Sequence, residues 1–316
     1  MIDFHIHFCE REKYRDFLGI ADMLGIERGG LVSLPDLNRL DGTYNSEVLH
    51  ALRQDPERWF GFGALDHRHD AKGRVLQPYS EQVNKLYQQG FSGLKVWLGK
   101  PLAEKLFSRD VRDPGIQEAF AAAGELRMPV LYHVADPPDF WEAGGPCSGE
   151  EYSPFDRYID DLVYCVERNP GVTFIVAHLI FLADRLDALS SILVSHPNLY
   201  TDTAPGRWFY AVLSQEGQQA RAFFEKNSAQ VLFGSDALFF PDSYGGLGGL
   251  PSLDETAATI RRINKFLATR EKMDNPYPGS REQFPTVAGL GIDQEALARI
   301  MHGNALGFFL QRGGVE

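Results

Sequence analysis

The side chains best suited to chemistry lie in the first eight residues, where His5 and His7 are separated by one residue. Apolar and polar residues alternate along this segment, and that period of two predicts a β-strand with Asp3, His5 and His7 on one face. Imidazoles at positions i and i+2 of a strand point to the same side and can bind one metal ion. The alternative is a strand whose polar face carries two histidines without a ligand. Other parts of the chain must complete a metal site.

Length and composition limit the classes of protein to which the chain can belong. Its 316 residues, 44% hydrophobic and 23% charged, are typical of a soluble globular protein. The net charge of -12 argues against nucleic acid or an anionic membrane as a partner. No apolar run approaches the length of a bilayer span, and the first residues lack a signal-peptide pattern, so we expect a cytoplasmic protein. Three scattered cysteines do not form a disulfide framework.

Eight short segments rich in aliphatic and β-branched residues predict strands, and helical segments separate them. The predicted strands are residues 1–8, 29–34, 59–65, 93–98, 129–134, 172–178, 198–203 and 230–236. The predicted helices are residues 10–24, 45–54, 78–89, 114–127, 154–169, 184–195, 212–227, 253–271 and 293–310. This alternation indicates an α/β fold, and eight βα units predict a closed (β/α)8 TIM barrel. An open doubly wound sheet is the alternative, but no glycine-rich nucleotide loop follows the first strand.

We expect residues 1–316 to form a single TIM-barrel domain, because no repeat or linker divides the chain. The segment at about residues 237–292 is the least regular, and we predict that it is an insertion after strand eight. It contains a glycine-rich loop at residues 245–249 that is suited to cover the site. The terminal cluster Phe308-Phe309-Leu310 packs either on the barrel or on a neighbouring copy, which leaves a homo-oligomer open.

Active sites of TIM barrels lie at the carboxyl ends of the strands. The polar residues at or near the predicted ends are His5, His7, Asp66, His67, Lys95, His133, His178, Asp202 and Asp236. Neutral imidazoles and a carboxylate, with one position open for water, are the usual ligands of catalytic Zn²⁺. The alternative for each histidine is a core imidazole with satisfied hydrogen bonds. It is weaker for His133 and His178, because both fall at a predicted strand end.

These motifs, taken in order, resemble the amidohydrolase superfamily and, within it, the amidohydrolase-2 branch of metal-dependent hydrolases and decarboxylases. The matching segments are Asp3-Phe4-His5-Ile6-His7, Gly93-Leu94-Lys95, His133, Val176-Ala177-His178, Phe233-Gly234-Ser235-Asp236 and Ile300-Met301-His302-Gly303-Asn304-Ala305. The resemblance spans nearly the whole chain and preserves the order of the motifs.

The resemblance implies that His5, His7, His133 and Asp236 surround a divalent metal, with Zn²⁺ expected and one or two ions bound. Asp236 would also be the catalytic base for a metal-activated water, whose pKa the metal lowers towards about 7. The resemblance makes His178 either a ligand of a second metal or a catalytic side chain that polarises substrate or water. Lys95 is either a carbamate that bridges two metals or a free ammonium paired with Asp236 or a substrate carboxylate. We favour the unmodified amine.

Three residues are candidates for substrate binding. Arg207 follows strand seven and is suited to bind a substrate carboxylate with two parallel hydrogen bonds, although it could equally be a surface arginine. Trp97 and Tyr132 lie near strand ends and predict an aromatic wall, although aromatic residues there often only pack. Asp202 is expected behind the ligands, where it would hold the second nitrogen of a ligand imidazole.

The sequence therefore predicts a metal-dependent hydrolase that acts on a small-molecule amide, lactone or ester, which is carboxylated if Arg207 binds it. The main alternative is a metal-dependent lyase, either a decarboxylase or a hydratase, acting on an aromatic or unsaturated carboxylic acid. A binding protein without activity is a further alternative, which the intact set of ligand positions disfavours.

Overall fold

Parallel strands form one curved sheet in the computed structural model, which describes residues 1–36, 39–40, 42–206, 208–242 and 250–311. The strands of this sheet are β1 (Ile2–Phe8), β2 (Arg28–Val32), β3 (Trp59–Ala64), β4 (Gly93–Gly99), β5 (Val130–Val134), β6 (Phe174–Val176), β7 (Leu199–Asp202), β8 (Val231–Leu232) and β9 (Ala237–Phe239). Their order in the sheet is β8-β7-β6-β5-β4-β3-β2-β1-β9, so consecutive strands are neighbours from β1 to β8.

Two short strands close the barrel: β8 falls within the predicted eighth strand, residues 230–236, whereas β9 follows it, in the segment predicted as an insertion. β8 pairs with β7, whereas β9 pairs with β1. Between these two strands, the backbone N–H of Phe4 donates to Phe233 O at 2.9 Å, and that of Asp236 donates to His5 O at 2.9 Å. These bonds join the segment between β8 and β9 to β1. The predicted TIM-barrel fold is confirmed.

Helices follow the strands around the barrel. They are α1 (Tyr14–Leu24), α2 (Asn45–Gln54), α3 (Tyr79–Gln89), α4 (Pro101–Phe107), α5 (Pro114–Glu125), α6 (Phe155–Arg168), α7 (Leu186–Ser195), α8 (Phe209–Gln215), α9 (Gly217–Asn227), α10 (Leu253–Ala268), α11 (Gln294–Ala298) and α12 (Asn304–Gln311). A small antiparallel pair, β10 (Lys272–Asp274) and β11 (Thr286–Ala288), follows α10. Helix α4 was not predicted. A π-helical turn at Arg299–Gly303 divides the predicted last helix. Within the described ranges, no helix combines the length and apolarity needed to cross a bilayer.

The apolar side chains of β1 do not share one face, contrary to the alternation in the sequence. The register of β1 against β2 shifts within the strand. The shift lies between Asp3 and Ile6. Phe4, within it, stacks on Phe308 of α12 with ring centroids 5.2 Å apart. Phe8, after it, packs against Phe17 of α1 with ring centroids 5.6 Å apart. The shift therefore divides the strand between two core clusters and still leaves both histidines on the same side.

The terminal aromatic cluster packs on the barrel for the most part. Phe308 and Phe309 are buried beside Phe4, and α12 thereby covers the amino-terminal end of the strands. Leu310 keeps 69% of its surface exposed. Whether copies of the chain associate stays an open prediction.

Residues with left-handed backbone conformation lie at the carboxyl ends of β6 and β8. The turn His178–Phe181 has φ between 48° and 62° at its four positions, and Asp236 has φ 53°. Such residues cost about 1–2 kcal/mol each, so the surrounding structure must impose them. One restraint is visible, because Asp202 Oδ1 accepts the backbone N–H of His178 at 2.8 Å. β6 accordingly ends at Val176 rather than at residue 178 as predicted.

The close approach of β1 and β2 at the register shift can be tested with alanine. A Cβ at Gly30 would lie 2.9 Å from the carbonyl carbon of Phe4 and closer still to its oxygen, and both are backbone atoms. We expect Gly30→Ala to lower the free energy of unfolding by about 2 kcal/mol. Gly19→Ala on α1, where nothing lies within 4 Å, should raise it by about 0.5–1 kcal/mol. Urea unfolding of both variants measures the difference, and equal stability of Gly30→Ala and wild type would contradict the close approach.

Candidate metal centre and active site

Three side chains meet at the carboxyl end of β1. His5 Nε2 lies 3.3 Å from His7 Nε2, and Asp236 Oδ1 lies 3.5 Å and 3.3 Å from these two nitrogens. In the described part of the chain, these residues form the one group of three or more potential ligands whose ligand atoms all lie within 4.8 Å of one another. We call His5, His7 and Asp236 the donor triad.

Asp202 at the end of β7 orients His5. Its Oδ2 lies 2.7 Å from His5 Nδ1, and its Oδ1 accepts the backbone N–H groups of His178 and Ala204 at 2.8 Å and 3.1 Å. Burial acts to raise the pKa of Asp202, but the interactions with His5 and His178 outweigh it, so the pKa lies below its usual range. An ionised Asp202 accepts the Nδ1–H of His5, which leaves the Nε2 lone pair of His5 directed at the triad.

Burial and neighbouring groups set the charge of His7 and Asp236. Burial lowers the pKa of His7 to about 4, so its imidazole is neutral at pH 7. Burial acts to raise the pKa of Asp236, but the hydrogen bond with His7 and the proximity of His5 bring it below the usual range. Neutral imidazoles and an ionised carboxylate are the forms that bind a divalent metal, so the residues present fit such an ion.

His133 and His178 lie beside the triad but do not complete it as further members. The ring centroid of His178 lies 6.0 Å from that of His5 and 5.0 Å from that of His133. Burial lowers the pKa of both residues, for His133 to well below 6.5. His178 Nδ1 lies 3.1 Å from Ala204 O and donates to it when the ring is neutral. His133 Nε2 is buried and has no hydrogen-bond partner among the residues described.

Lys95 is buried inside the barrel, with 2% of its surface exposed. Its Nζ has no hydrogen-bond partner within the described ranges. Burial lowers the pKa of the amine to about 8, although Asp236 and Asp202 act in the opposite direction. A neutral fraction of the amine is therefore present near pH 7, and both predicted forms of Lys95 are chemically accessible.

An ion pair between Lys100 and Asp136 lies next to His133 and was not predicted from the sequence. Lys100 directly follows β4, and Asp136 lies two residues after β5. The Lys100 ammonium donates to Asp136 Oδ1, which is 3.9 Å from His133 Nε2. A charged residue just beyond each strand end was the available signal, but the sequence contains many such residues in loops.

The three residues predicted to bind substrate differ in their positions relative to the donor triad. Trp97 is half-buried near the end of β4, with its ring centroid 6.2 Å from that of Phe107. Tyr132 is fully buried in the core cluster that includes Leu162 of α6, and the structure does not bring it to the donor triad. Arg207 and the glycine-rich loop lie outside the described residues.

Of the remaining strand-end residues, His67 stacks on Phe107 with ring centroids 4.4 Å apart, and Asp66 is paired with Arg68. Both are therefore engaged in local contacts next to β3.

A cavity of about 540 Å³ opens beside Asp236. Its walls come from the loop after β7, from the residues that lead into β9, from α10 and from the turn Pro278–Ser280. The lining residues are Pro205, Ser235, Asp236, Ala237, Leu238, Leu250, Pro251, Glu255, Thr256, Thr259, Ile260, Tyr277, Pro278 and Gly279. Asp236 thus belongs both to the donor triad and to a space large enough for a small organic molecule.

Three solved structures share this fold over nearly the whole chain. A probable 2-pyrone-4,6-dicarboxylic acid hydrolase from Acinetobacter baumannii, with citric acid bound, has 17% identity and a TM-score of 0.57, and the match covers 98% of each chain. 2,6-Dihydroxybenzoate decarboxylase from Rhizobium has 14% identity and a TM-score of 0.58, again over 98% of each chain. 5-Carboxyvanillate decarboxylase from Novosphingobium aromaticivorans, with bound manganese, has 15% identity and a TM-score of 0.51, over 93% of this chain and 80% of that one.

Comparison with the curated proteins gave no match. At the identities of the solved structures, the likeness shows a shared fold. The sequence itself matches the family Amidohydro_2, described as amidohydrolase, over residues 2–310. Because this match covers nearly all of the 316 residues, the chain belongs to the Amidohydro_2 family of amidohydrolases.

Proposed function

We propose that the protein is a metal-dependent hydrolase that cleaves a small lactone, ester or amide with the help of Asp236. The observation that carries the proposal is the double position of Asp236. Its carboxylate contacts both histidines of the donor triad, and Asp236 is one of the residues that line the cavity of about 540 Å³. One residue therefore lies both at the candidate metal position and beside the space for a substrate.

The donor triad would hold one divalent ion, with Zn²⁺ as the expected metal and Mn²⁺ as the second candidate, since the related 5-carboxyvanillate decarboxylase structure contains manganese. When bound, such an ion acidifies water and polarises a carbonyl oxygen. His133 is a further ligand candidate, because its Nε2 is buried without a partner among the described residues. Lys95 is proposed as an unmodified amine, in keeping with a single ion.

Asp236 would move the proton during hydrolysis. Its ionised carboxylate accepts a proton from the attacking water as the water oxygen forms a bond to the carbonyl carbon. The protonated carboxyl then returns that proton to the leaving oxygen or nitrogen as the bond to carbon breaks, and the ionised form is restored. His178 would accept a hydrogen bond from the attacking water. A neutral ring that donates its Nδ1–H to Ala204 O has an unprotonated Nε2, which is a hydrogen-bond acceptor.

Decarboxylation is the second candidate function. Two of the three similar structures are decarboxylases of aromatic acids, and the same donor triad could serve that reaction. In a decarboxylase, the carboxylate of the substrate leaves as CO₂ and a proton replaces it on carbon. The site would then have to hold the carboxylate at the reacting centre rather than at a distance from it.

A substrate panel tests the reaction class. We expect the metal-loaded protein to hydrolyse members of a set of carboxylated lactones, esters and amides and to release no CO₂ from hydroxybenzoates. Proton release reports hydrolysis of the lactones and esters, the released amine reports hydrolysis of the amides, and labelled CO₂ reports decarboxylation. Asp236→Asn should lower kcat by about 10²- to 10⁴-fold, with metal content measured in parallel to separate loss of the base from loss of the ion. Release of CO₂ without hydrolysis would replace the proposal with its rival.

Metal content and mass test the number of ions. We expect about one divalent ion per chain after loading with Zn²⁺, and a native mass without the addition of CO₂ at Lys95. The reason is that the described residues contain one compact donor group. Two ions per chain together with a mass increase equal to CO₂ would contradict this and make Lys95 a bridging carbamate.

The orientation of His5 by Asp202 can be tested separately. Asp202→Asn replaces the charged acceptor of the His5 Nδ1–H, and we expect metal affinity to fall by about 10- to 100-fold. Asp187→Asn, at an exposed position on α7, is the matched control and should leave affinity unchanged. Competition with a fluorescent chelator measures both affinities, and an unaltered affinity in Asp202→Asn would refute the orienting role.

A further inference from the structure

Glu255 lies on the side of α10 that borders the cavity beside Asp236. It lines this cavity together with Thr256, Thr259 and Ile260, which are one, four and five residues further along the helix. This spacing puts the four side chains on one side of a helix. The side chain of Glu255 keeps 30% of its surface exposed, so a ligand can reach it. Among the described lining residues, only Glu255 and Asp236 are charged.

The contacts of the Glu255 carboxylate fall on one of its two oxygens. Arg281 Nη2 lies 2.8 Å from Oε1, Arg262 Nη1 lies 3.0 Å from it, and Thr259 Oγ1 lies 3.5 Å from it. Among the residues that the structure describes, Oε2 accepts no hydrogen bond. An oxygen of an ionised carboxylate has two lone pairs that can accept a hydrogen bond. Oε2 therefore has unused acceptor capacity.

The two arginines contact Glu255 without lining the cavity, as far as the described lining shows. Arg281 also donates its Nε–H to Asn275 O at 2.7 Å. It thereby connects α10 to the segment that continues into the turn Pro278–Ser280, and these two elements form opposite walls of the cavity. The guanidinium groups hold Oε1 within the wall and leave the second oxygen for the contents of the cavity.

The charges around Glu255 are balanced. Arg262 Nη2 also lies 3.6 Å from Asp274 Oδ2, so two arginines and two carboxylates form one cluster whose formal charges cancel. The hydrogen bond with Arg281 brings the pKa of Glu255 below its usual range, so the carboxylate is ionised at pH 7. An ionised carboxylate accepts hydrogen bonds and donates none. Because its charge is already balanced, its best partner is an uncharged O–H or N–H group.

We propose that Glu255 determines specificity, with its Oε2 accepting a hydrogen bond from an uncharged hydroxyl or N–H group of the substrate. The cavity lining also includes Leu238, Ile260 and Tyr277, whose apolar surfaces suit the ring or chain that bears this group. This inference rests on the proposed function, because it takes the cavity beside Asp236 as the place of the substrate. It adds that the substrate has a hydrogen-bond donor on the part next to α10.

Phenol and anisole are matched probes, because methylation of the hydroxyl removes the donor and keeps the ring. Each is titrated at pH 7 into Zn²⁺-loaded and chelator-treated protein, and the NMR signals of the Leu238 and Ile260 methyl groups report binding in the cavity. We expect phenol to bind roughly ten-fold more tightly than anisole in both forms, because a hydrogen bond to an ionised carboxylate is worth about that factor.

Glu255→Gln separates the acceptor from the contacts with the arginines. The amide oxygen of glutamine can stay on the two guanidinium groups, which puts its NH₂ group at the position of Oε2, where it donates and cannot accept. We expect phenol affinity to fall roughly ten-fold and anisole affinity to stay unchanged. Asp254→Asn, at an exposed position in the same first turn of α10, is the matched control and should keep the preference for phenol.

Arg281→Met tests whether Glu255 only holds the wall of the cavity. This variant removes the connection to Asn275 but keeps the carboxylate, and we expect it to retain the preference for phenol. Loss of the preference in Arg281→Met would overturn the proposal, since the role of Glu255 would then be to hold the wall.

Three further outcomes would also overturn the proposal. They are equal affinity of the wild type for phenol and anisole, wild-type preference in Glu255→Gln, and unshifted methyl signals of Leu238 and Ile260 at tens of millimolar phenol. All these readouts are binding measurements. A substrate panel without hydrolysis therefore leaves the test intact, and failure of the proposed function is distinguishable from failure of this inference.

Discussion

The carboxylate of Asp202 joins the three parts of the site that must hold their positions relative to one another. Its two oxygens bind the Nδ1 of His5 on β1 and the backbone N–H groups of His178 and Ala204 beyond β6 and β7. The first contact selects the tautomer of His5, and the second restrains a turn whose backbone conformation is costly. One buried anion therefore fixes both a candidate metal ligand and the histidine beside it.

Burial favours the neutral form of both the imidazoles and the carboxylates of the site, but only for the imidazoles does it prevail. For His7, His133 and His178 it favours the neutral form, which has a lone pair for a metal or a proton. For Asp202 and Asp236 burial alone would favour the protonated form, but hydrogen bonds with neighbouring histidines keep both ionised. Burial therefore decides the charge state of these imidazoles, whereas the nearby histidines decide that of the two carboxylates.

Much of the fold and of the donor triad followed from sequence, because strand ends in a parallel barrel converge on one edge. The shift in β1 did not, since it depends on how Gly30 of β2 approaches the backbone of Phe4. Tyr132 was expected at the site because it lies near the end of β5, but the alternation of side chains along that strand argues against this position. Tyr132 and His133 are adjacent on one strand, so they face opposite sides of the sheet. The Lys100–Asp136 pair could not be predicted, because it joins the loops after β4 and β5, whose relative positions are known only from the three-dimensional structure.

The location of the substrate carboxylate decides between the two reaction classes, because the barrel and the donor triad are compatible with both. A decarboxylase must hold the carboxylate at the reacting centre, where the bond to carbon breaks. A hydrolase can bind the carboxylate elsewhere and use it to orient a carbonyl group. Glu255 on the cavity wall is paired with Arg281 and Arg262, and Asp236 contacts both histidines of the donor triad. The charge of the lining is therefore compatible with a substrate carboxylate in either position, and the proposed hydrolysis depends on a carboxylate that is held away from the carbon that reacts.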